Sequence, residues 1–173
     1  MSTLRFVHCA DLHLDTPFRG LANVSDDVAR ELAEATFRAW ENIVDLTLTQ
    51  GADFLVVAGD VFDGADRSLR AQLRFRDGLQ RLADHGIPSF VAFGNHDPLD
   101  GWSHTLDWPD LAHRFGGEPE ACDVTRDGRR IATVHGVSHA REAITEDLSA
   151  RFGSPDPSVP SVAVLHADVG GDP

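Results

Sequence analysis

Short, mostly apolar runs alternate with amphipathic stretches along the chain, and this alternation restricts its fold more than any other feature. The runs are Leu4 to Cys9 (LRFVHC), Phe54 to Ala58 (FLVVA), Pro88 to Phe93 and Ser161 to Leu165. FLVVA has no polar position, as expected of a strand covered on both faces. Between the first two runs, Val28, Leu32, Ala35, Ala39, Ile43 and Leu46 recur at three- and four-residue steps and predict one apolar helix face. Ser25 is a natural N-cap, Asp26 and Asp27 suit the positive end of the helix dipole, and Gly51 is a natural stop. A second helix, with Leu69, Leu73, Leu79 and Leu82 inward, is expected to end near Gly86. Strands and helices in alternation predict an α/β domain.

The later part of the chain is less regular. A short helix is expected near Asp110 to Phe115, and two strands near Asp123 to Thr125 and Arg130 to His135, joined by a turn at Asp127-Gly128. Ile144 to Phe152 looks helical, and a Pro-rich loop (SPDPSVP) precedes the last run. No repeat or long linker divides the sequence, so one domain over residues 1–173 is expected, with no second domain. No apolar run approaches the roughly 20 residues of a membrane span, and the first residues lack a signal peptide's apolar stretch. A cytoplasmic protein without a membrane partner is therefore the expectation. Cys9 and Cys122 are too few for a disulfide framework, lack metal-site spacing and read as free thiols. The net charge of −13 argues against a basic patch as the route to nucleic acid. A phosphate substrate stays compatible with that charge if bound cations carry the positive sign.

The polar residues are informative by position. Asp11 and His13 follow the first run, Gly59-Asp60 the second with Asp63 three residues on, Gly94-Asn95-His96-Asp97 the third, and His166 the last. In open α/β sheets, ligands bind at the carboxyl ends of the strands. If these strands are parallel neighbours, their ends gather carboxylates, an amide and imidazoles into one place. Such donors fit Mn²⁺, Fe²⁺ or Zn²⁺. Asp60 has two oxygens with which to bridge two cations, and two cations about 3.5–4 Å apart clamp a phosphate and activate water. Taken singly, each motif also reads as an ordinary polar loop, because Asp, Asn and Gly are common loop formers. Their ordered combination at four strand ends does not reduce to that.

In this combination the sequence resembles the calcineurin-like metallophosphoesterase superfamily. The matching motifs are Asp11-x-His13, Gly59-Asp60-x-x-Asp63, Gly94-Asn95-His96-Asp97 and the lone His166. Within it, the phrase FVHCADLHLDTPFRGL is similar to the SbcD/YhaO-type DNA repair exonucleases. The resemblance implies a four-layer α-β-β-α sandwich and a DNA substrate. It also implies two divalent metal ions, Mn²⁺ first, with Fe²⁺ or Zn²⁺ as alternatives. Asp11 and His13 hold one metal, Asp60 bridges, and Asn95 and His166 hold the other. His96 contacts the scissile phosphate and protonates the leaving oxygen, Asp63 orients His96, and Asp97 shapes the loop. An SMC-like ATPase partner and a homodimer are further implications. The family's Gly-His-x-His motif is absent from these 173 residues. The resemblance therefore implies the front portion of a catalytic domain with its last strands missing. Each metal then keeps three protein ligands, which lowers occupancy of the second. A phosphoprotein or nucleotide phosphoesterase, and a shortened non-catalytic scaffold for a partner ATPase, are the alternative readings.

Other residues carry weaker expectations. His8 reads as a buried core histidine, His135 as a strand-end residue with a place in the site as the alternative, and His85, His104, His113 and His139 as surface or loop residues. Trp40 reads as helix packing. Trp102 and Trp108 follow His96 in the chain and read as loop packing, with stacking on a nucleobase as the alternative. Arg19 and Arg67 read as solvated loop residues, with phosphate contact as the alternative.

Overall fold

The apolar runs become the strands of two sheets. The computed structural model describes residues 3–16, 26–64, 68–101 and 106–168. Strands β1 (Phe6–Cys9), β2 (Phe54–Ala58), β3 (Ser89–Ala92) and β4 (Ala112–Arg114) lie parallel in that order. Cys9, Val57 and Val91 share one row, so the carboxyl ends of β1, β2 and β3 finish nearly level. A hairpin, β5 (Glu120–Arg126) and β6 (Arg129–Gly136), forms the second sheet with β7 (Ser161–Val164), which runs parallel to β6. Its turn residues Asp127 and Gly128 both have positive φ (53° and 70°), the geometry of a type I′ hairpin turn.

Side-chain alternation along the strands sets the layers. Leu55, Val57, Val91 and Phe93 pack under the helices α1 (Asp26–Thr49) and α2 (Leu69–Asp84), against Phe37, Trp40, Val44, Phe75, Leu79 and Leu82. Phe54, Val56, Phe90 and Ala92 turn the other way and meet Phe115, Val124, Ala132, Val134 and Val164 of the second half. At about 1.5–3 kcal/mol per large buried side chain, these two clusters supply the main favourable term of folding. The described residues thus make three layers of the expected α/β sandwich: helices, parallel sheet, second sheet.

Several local expectations change. The buried face of α1 is Phe37, Trp40, Val44 and Thr47, while Ala39 and Leu46 are exposed. The two aromatic rings bury far more area than Ala35 and Ala39, and they set the rotation of the helix. Phe75 does the same for α2, where Leu69 is left 58 % exposed. The segment around Asp110 to Phe115 is strand β4, not helix. The edge of β3 recruits it through Ser89 N–H to Leu111 O and Phe115 N–H to Val91 O, both 2.9 Å. Ile144 to Phe152 holds only a single 3-10 turn, Leu148–Arg151, because Asp147 caps it at Ser149 and Leu148 alone is buried. His8 is exposed: β1 is an edge strand, and β7 lies over β2 rather than over β1. Ser25, Pro17, Gly20, Arg19, Arg67, Trp102 and His104 lie outside the described residues.

Candidate metal centre

The chain leaving β1 does not diverge from the chain leaving β2. Asp11 N–H bonds Gly59 O at 3.1 Å, His13 N–H bonds Asp60 O at 3.0 Å, and Leu14 N–H bonds Val61 O at 2.9 Å. Leu14 and Phe62, both fully buried, anchor the end of this ladder. Within it Asp11, His13 and Asp60 adopt positive φ (53°, 41° and 51°), which L-residues other than glycine rarely occupy. The outcome is that Asp11, His13 and Asp60 bring a carboxylate, an imidazole and a carboxylate to within 4.8 Å of one another. His13, Asp63 and His96 form a second such group, sharing His13.

Asp60 is the hub. Its side chain is 5 % exposed, with Oδ2 3.3 Å from His166 Nε2 and 3.9 Å from His13 Nε2, and Oδ1 accepting the His96 N–H at 3.1 Å. Two glycines make this approach possible. A Cβ on Gly94 would overlap Asp60 Oδ1 and lie 2.9 Å from both Asp60 N and His166 Cδ2, and a Cβ on Gly59 would overlap His166. Asp97, fully buried, accepts from Gly94 N–H (2.7 Å), Val61 N–H (2.7 Å) and Phe62 N–H (3.2 Å). It thereby ties the loop after β3 to the loop after β2, in keeping with its expected loop-shaping part. Asn95 sits half-buried between Gly94 and His96 in that loop.

The electrostatics follow from these contacts. Burial pushes the Asp60 carboxyl up, but hydrogen bonds from His166 and from the His96 N–H outweigh it and hold the group below its ordinary value. The hydrogen bond to Asp60 lifts His166 to about 9, against the opposing effect of burial. His96 is raised chiefly by the 2.8 Å bond from its Nδ1 to Asp63 Oδ1. Asp97 is raised by burial despite its three N–H donors.

The donor set fits divalent cations. His166 Nδ1–H donates to Ala58 O at 3.1 Å and Nε2–H points at Asp60, so a bound cation would take the place of the Nε2 proton. Metal-binding histidines are commonly oriented by a carbonyl on the far nitrogen in this way. Asp11, His13, Asp60 and His166 therefore present oxygen and nitrogen donors of the kind Mn²⁺, Fe²⁺ or Zn²⁺ accept. His96 stands at the exposed side, oriented by Asp63.

Three other aromatic or imidazole residues find their places. Trp108 packs between Phe75 and Phe93 (ring centroids 5.9 and 6.1 Å), so it is packing and not a base platform. His135 lies within β6 and belongs to neither ligand group. His139, expected as a surface or loop residue, does lie in the loop after β6 but is only 7 % exposed, with Nε2 2.8 Å from His166 O. The signal that could have found it is its position just past β6, another strand that ends at this edge.

Clustered Asp and His donors at the strand ends fit the metal site of a metallophosphoesterase, a class of hydrolase that uses divalent metals on phosphoesters. The calcineurin-like phosphoesterase pattern matches residues 4–170, and the chain belongs to that family. It is 36 % identical to metallophosphoesterase YhaO of Bacillus subtilis over 172 residues, which is 99 % of this chain and 42 % of YhaO. It is 33 % identical over 102 residues to the DNA double-strand break repair protein Mre11 of Aeropyrum pernix, covering 59 % of this chain and 23 % of that protein. Tartrate-resistant acid phosphatase type 5 of Mus musculus is 33 % identical over 119 residues, covering 65 % of this chain and 32 % of the phosphatase. The chain thus spans less than half the length of each of these relatives. Among the described residues, no helix is long and apolar enough to cross a membrane.

Proposed function

We propose that this chain is the metal-binding part of a phosphodiesterase that hydrolyses DNA, acting as an exonuclease in repair. The observation that carries the reading is the gathering of His13, His166 and the His96 N–H around one nearly buried carboxylate, Asp60. In this reading Asp11 and His13 would hold one cation, Asn95 and His166 would hold the other, and Asp60 would serve both. When bound, the cations supply Lewis-acid stabilisation of the phosphate and a more acidic water as nucleophile. Asp60 stays ionised under its hydrogen bonds and needs no proton removed before it binds. His96, its Nδ1 fixed by Asp63, meets the phosphate and delivers a proton from Nε2 to the leaving oxygen. The DNA substrate rests on the likeness to repair proteins named Mre11. An SMC-like ATPase partner and a homodimer are the assemblies this reading proposes for the whole protein. A cytoplasmic location goes with it.

The test is Mn²⁺ titration of the chain with linear DNA and with bis(p-nitrophenyl) phosphate. Turnover that saturates with Mn²⁺ and falls at least about a hundredfold in Asp60→Asn and His96→Ala is expected. Cation uptake with no phosphodiester cleavage would leave the scaffold reading. Cleavage of phosphomonoesters alone would favour the second reading, a phosphatase, which the likeness to an acid phosphatase and the Asp63–His96 pair support.

A further inference from the structure

The segment Val137-Ser138-His139, directly after β6, is bonded to the exits of both β3 and β7. Ser138 is 1 % exposed. Its Oγ accepts the Phe93 N–H at 2.9 Å and donates to Phe115 O at 2.7 Å, and its N–H bonds Gly116 O at 2.8 Å. His139 N–H then bonds Phe93 O at 2.9 Å, and His139 O accepts the Leu99 N–H at 3.0 Å. Phe93, the residue before Gly94-Asn95-His96, is therefore held through both its N–H and its carbonyl. On the other side, Val137 N–H bonds Val164 O at 3.2 Å, and the His139 ring reaches His166 O at 2.8 Å. A carbonyl only accepts, so His139 Nε2 carries the hydrogen. His139 Nδ1 is buried with no hydrogen-bond partner. A residue present only to fill this space would be better apolar, because an unpaired buried nitrogen is unfavourable.

From this geometry we infer that His139 is a positioning residue for His166. Its Nε2–H···O=C bond fixes the main chain at the end of β7, so that the His166 ring, held at Nδ1 by Ala58 O, keeps Nε2 on Asp60. His139 and Ser138 together set the spacing between the loop carrying Asn95 and the strand end carrying His166, which come from different sheets. The inference rests on the metal reading of the site.

The experiment measures Mn²⁺ affinity of the full chain by electron paramagnetic resonance, with urea unfolding in the absence of metal as the fold control. His139→Phe fills the space and removes the donor, and His139→Gln retains an N–H donor. His139→Phe is expected to weaken Mn²⁺ binding about tenfold or more, the usual effect of losing such a supporting bond. His139→Gln is expected to stay within about threefold of the parent chain, and both variants are expected to unfold near the parent's urea midpoint. Parent-like affinity in His139→Phe would overturn the inference, as would a loss in a well-folded His139→Gln equal to that in His139→Phe. A parent chain that takes up no Mn²⁺ at millimolar concentration would overturn the metal reading itself, and this inference with it.

Discussion

Replacing Asp97 by alanine removes the acceptor of three backbone N–H groups, on Gly94, Val61 and Phe62, at a place with no solvent to substitute. Each orphaned N–H costs about 1–3 kcal/mol. Against this, alanine relieves the burial of a carboxyl group that burial itself pushes up. The net expectation is a loss of about 3 kcal/mol of folding stability. Asparagine keeps one oxygen for Val61 and Phe62 but turns its amide hydrogens toward the Gly94 N–H, so about 2 kcal/mol is expected. Urea unfolding at pH 7.5, followed by tryptophan fluorescence, to which buried Trp40 contributes, measures both. With a slope of about 2 kcal/mol per M, the midpoints should fall by about 1.5 M for Asp97→Ala and about 1 M for Asp97→Asn. An alanine variant within about 0.3 M of the parent, or an asparagine variant less stable than the alanine one, would refute the reasoning.

Three further outcomes follow from close approaches and burial. Gly94→Ala drives a methyl group into Asp60 Oδ1 and is expected to lower Mn²⁺ affinity at least about tenfold, measured by calorimetric titration. Gly78→Ala places a Cβ 2.6 Å from Trp40 Cε2; overpacking of about 1–3 kcal/mol, plus a disturbed Trp40 Nε1–H bond to Arg74 O, outweighs the roughly 1 kcal/mol gain in helix propensity, so the melting temperature should drop. A rise would contradict the tight helix contact. Burial pushes the Cys9 thiol up to about 12, whereas Cys122, also raised by burial and by Glu120 and Asp123, shifts less. Native chain treated with iodoacetamide at pH 8 should therefore be alkylated at Cys122 before Cys9, read by peptide mass spectrometry. Equal rates would contradict the packing around β1.

The parts that could be read from the sequence share one property: local chemistry and tertiary context agree there. FLVVA occupies the strand Phe54–Ala58 in full, because a run apolar on both faces fits only a doubly covered strand. Asp127-Gly128 makes the hairpin turn, because both positions need positive φ. Asp11, His13 and Asp60 converge, because the parallel strands β1 and β2 end in matched register. His166 reaches Asp60 from the other sheet, where the expectation of four neighbouring parallel strands does not hold, because β7 pairs with β6 and only packs over β2. The misses arise where a distant partner decides. The rotation of α1 depends on where the rings of Phe37 and Trp40 find room, and strand β4 exists because β3 had an unpaired edge. His139 looks like any loop histidine until β7 places the carbonyl of His166 beside it.

The left-handed dihedrals at Asp11, His13 and Asp60 bear on any attempt to toughen this molecule. Backbone held in such sparsely populated territory gives up of order 1 kcal/mol per residue. A search for stabilising substitutions would therefore be drawn to these positions first, offering glycine or asparagine in place of the strained side chains. Heat resistance gained that way would come from dismantling the cluster, so thermal tolerance and cation capture are set against each other at the same three residues.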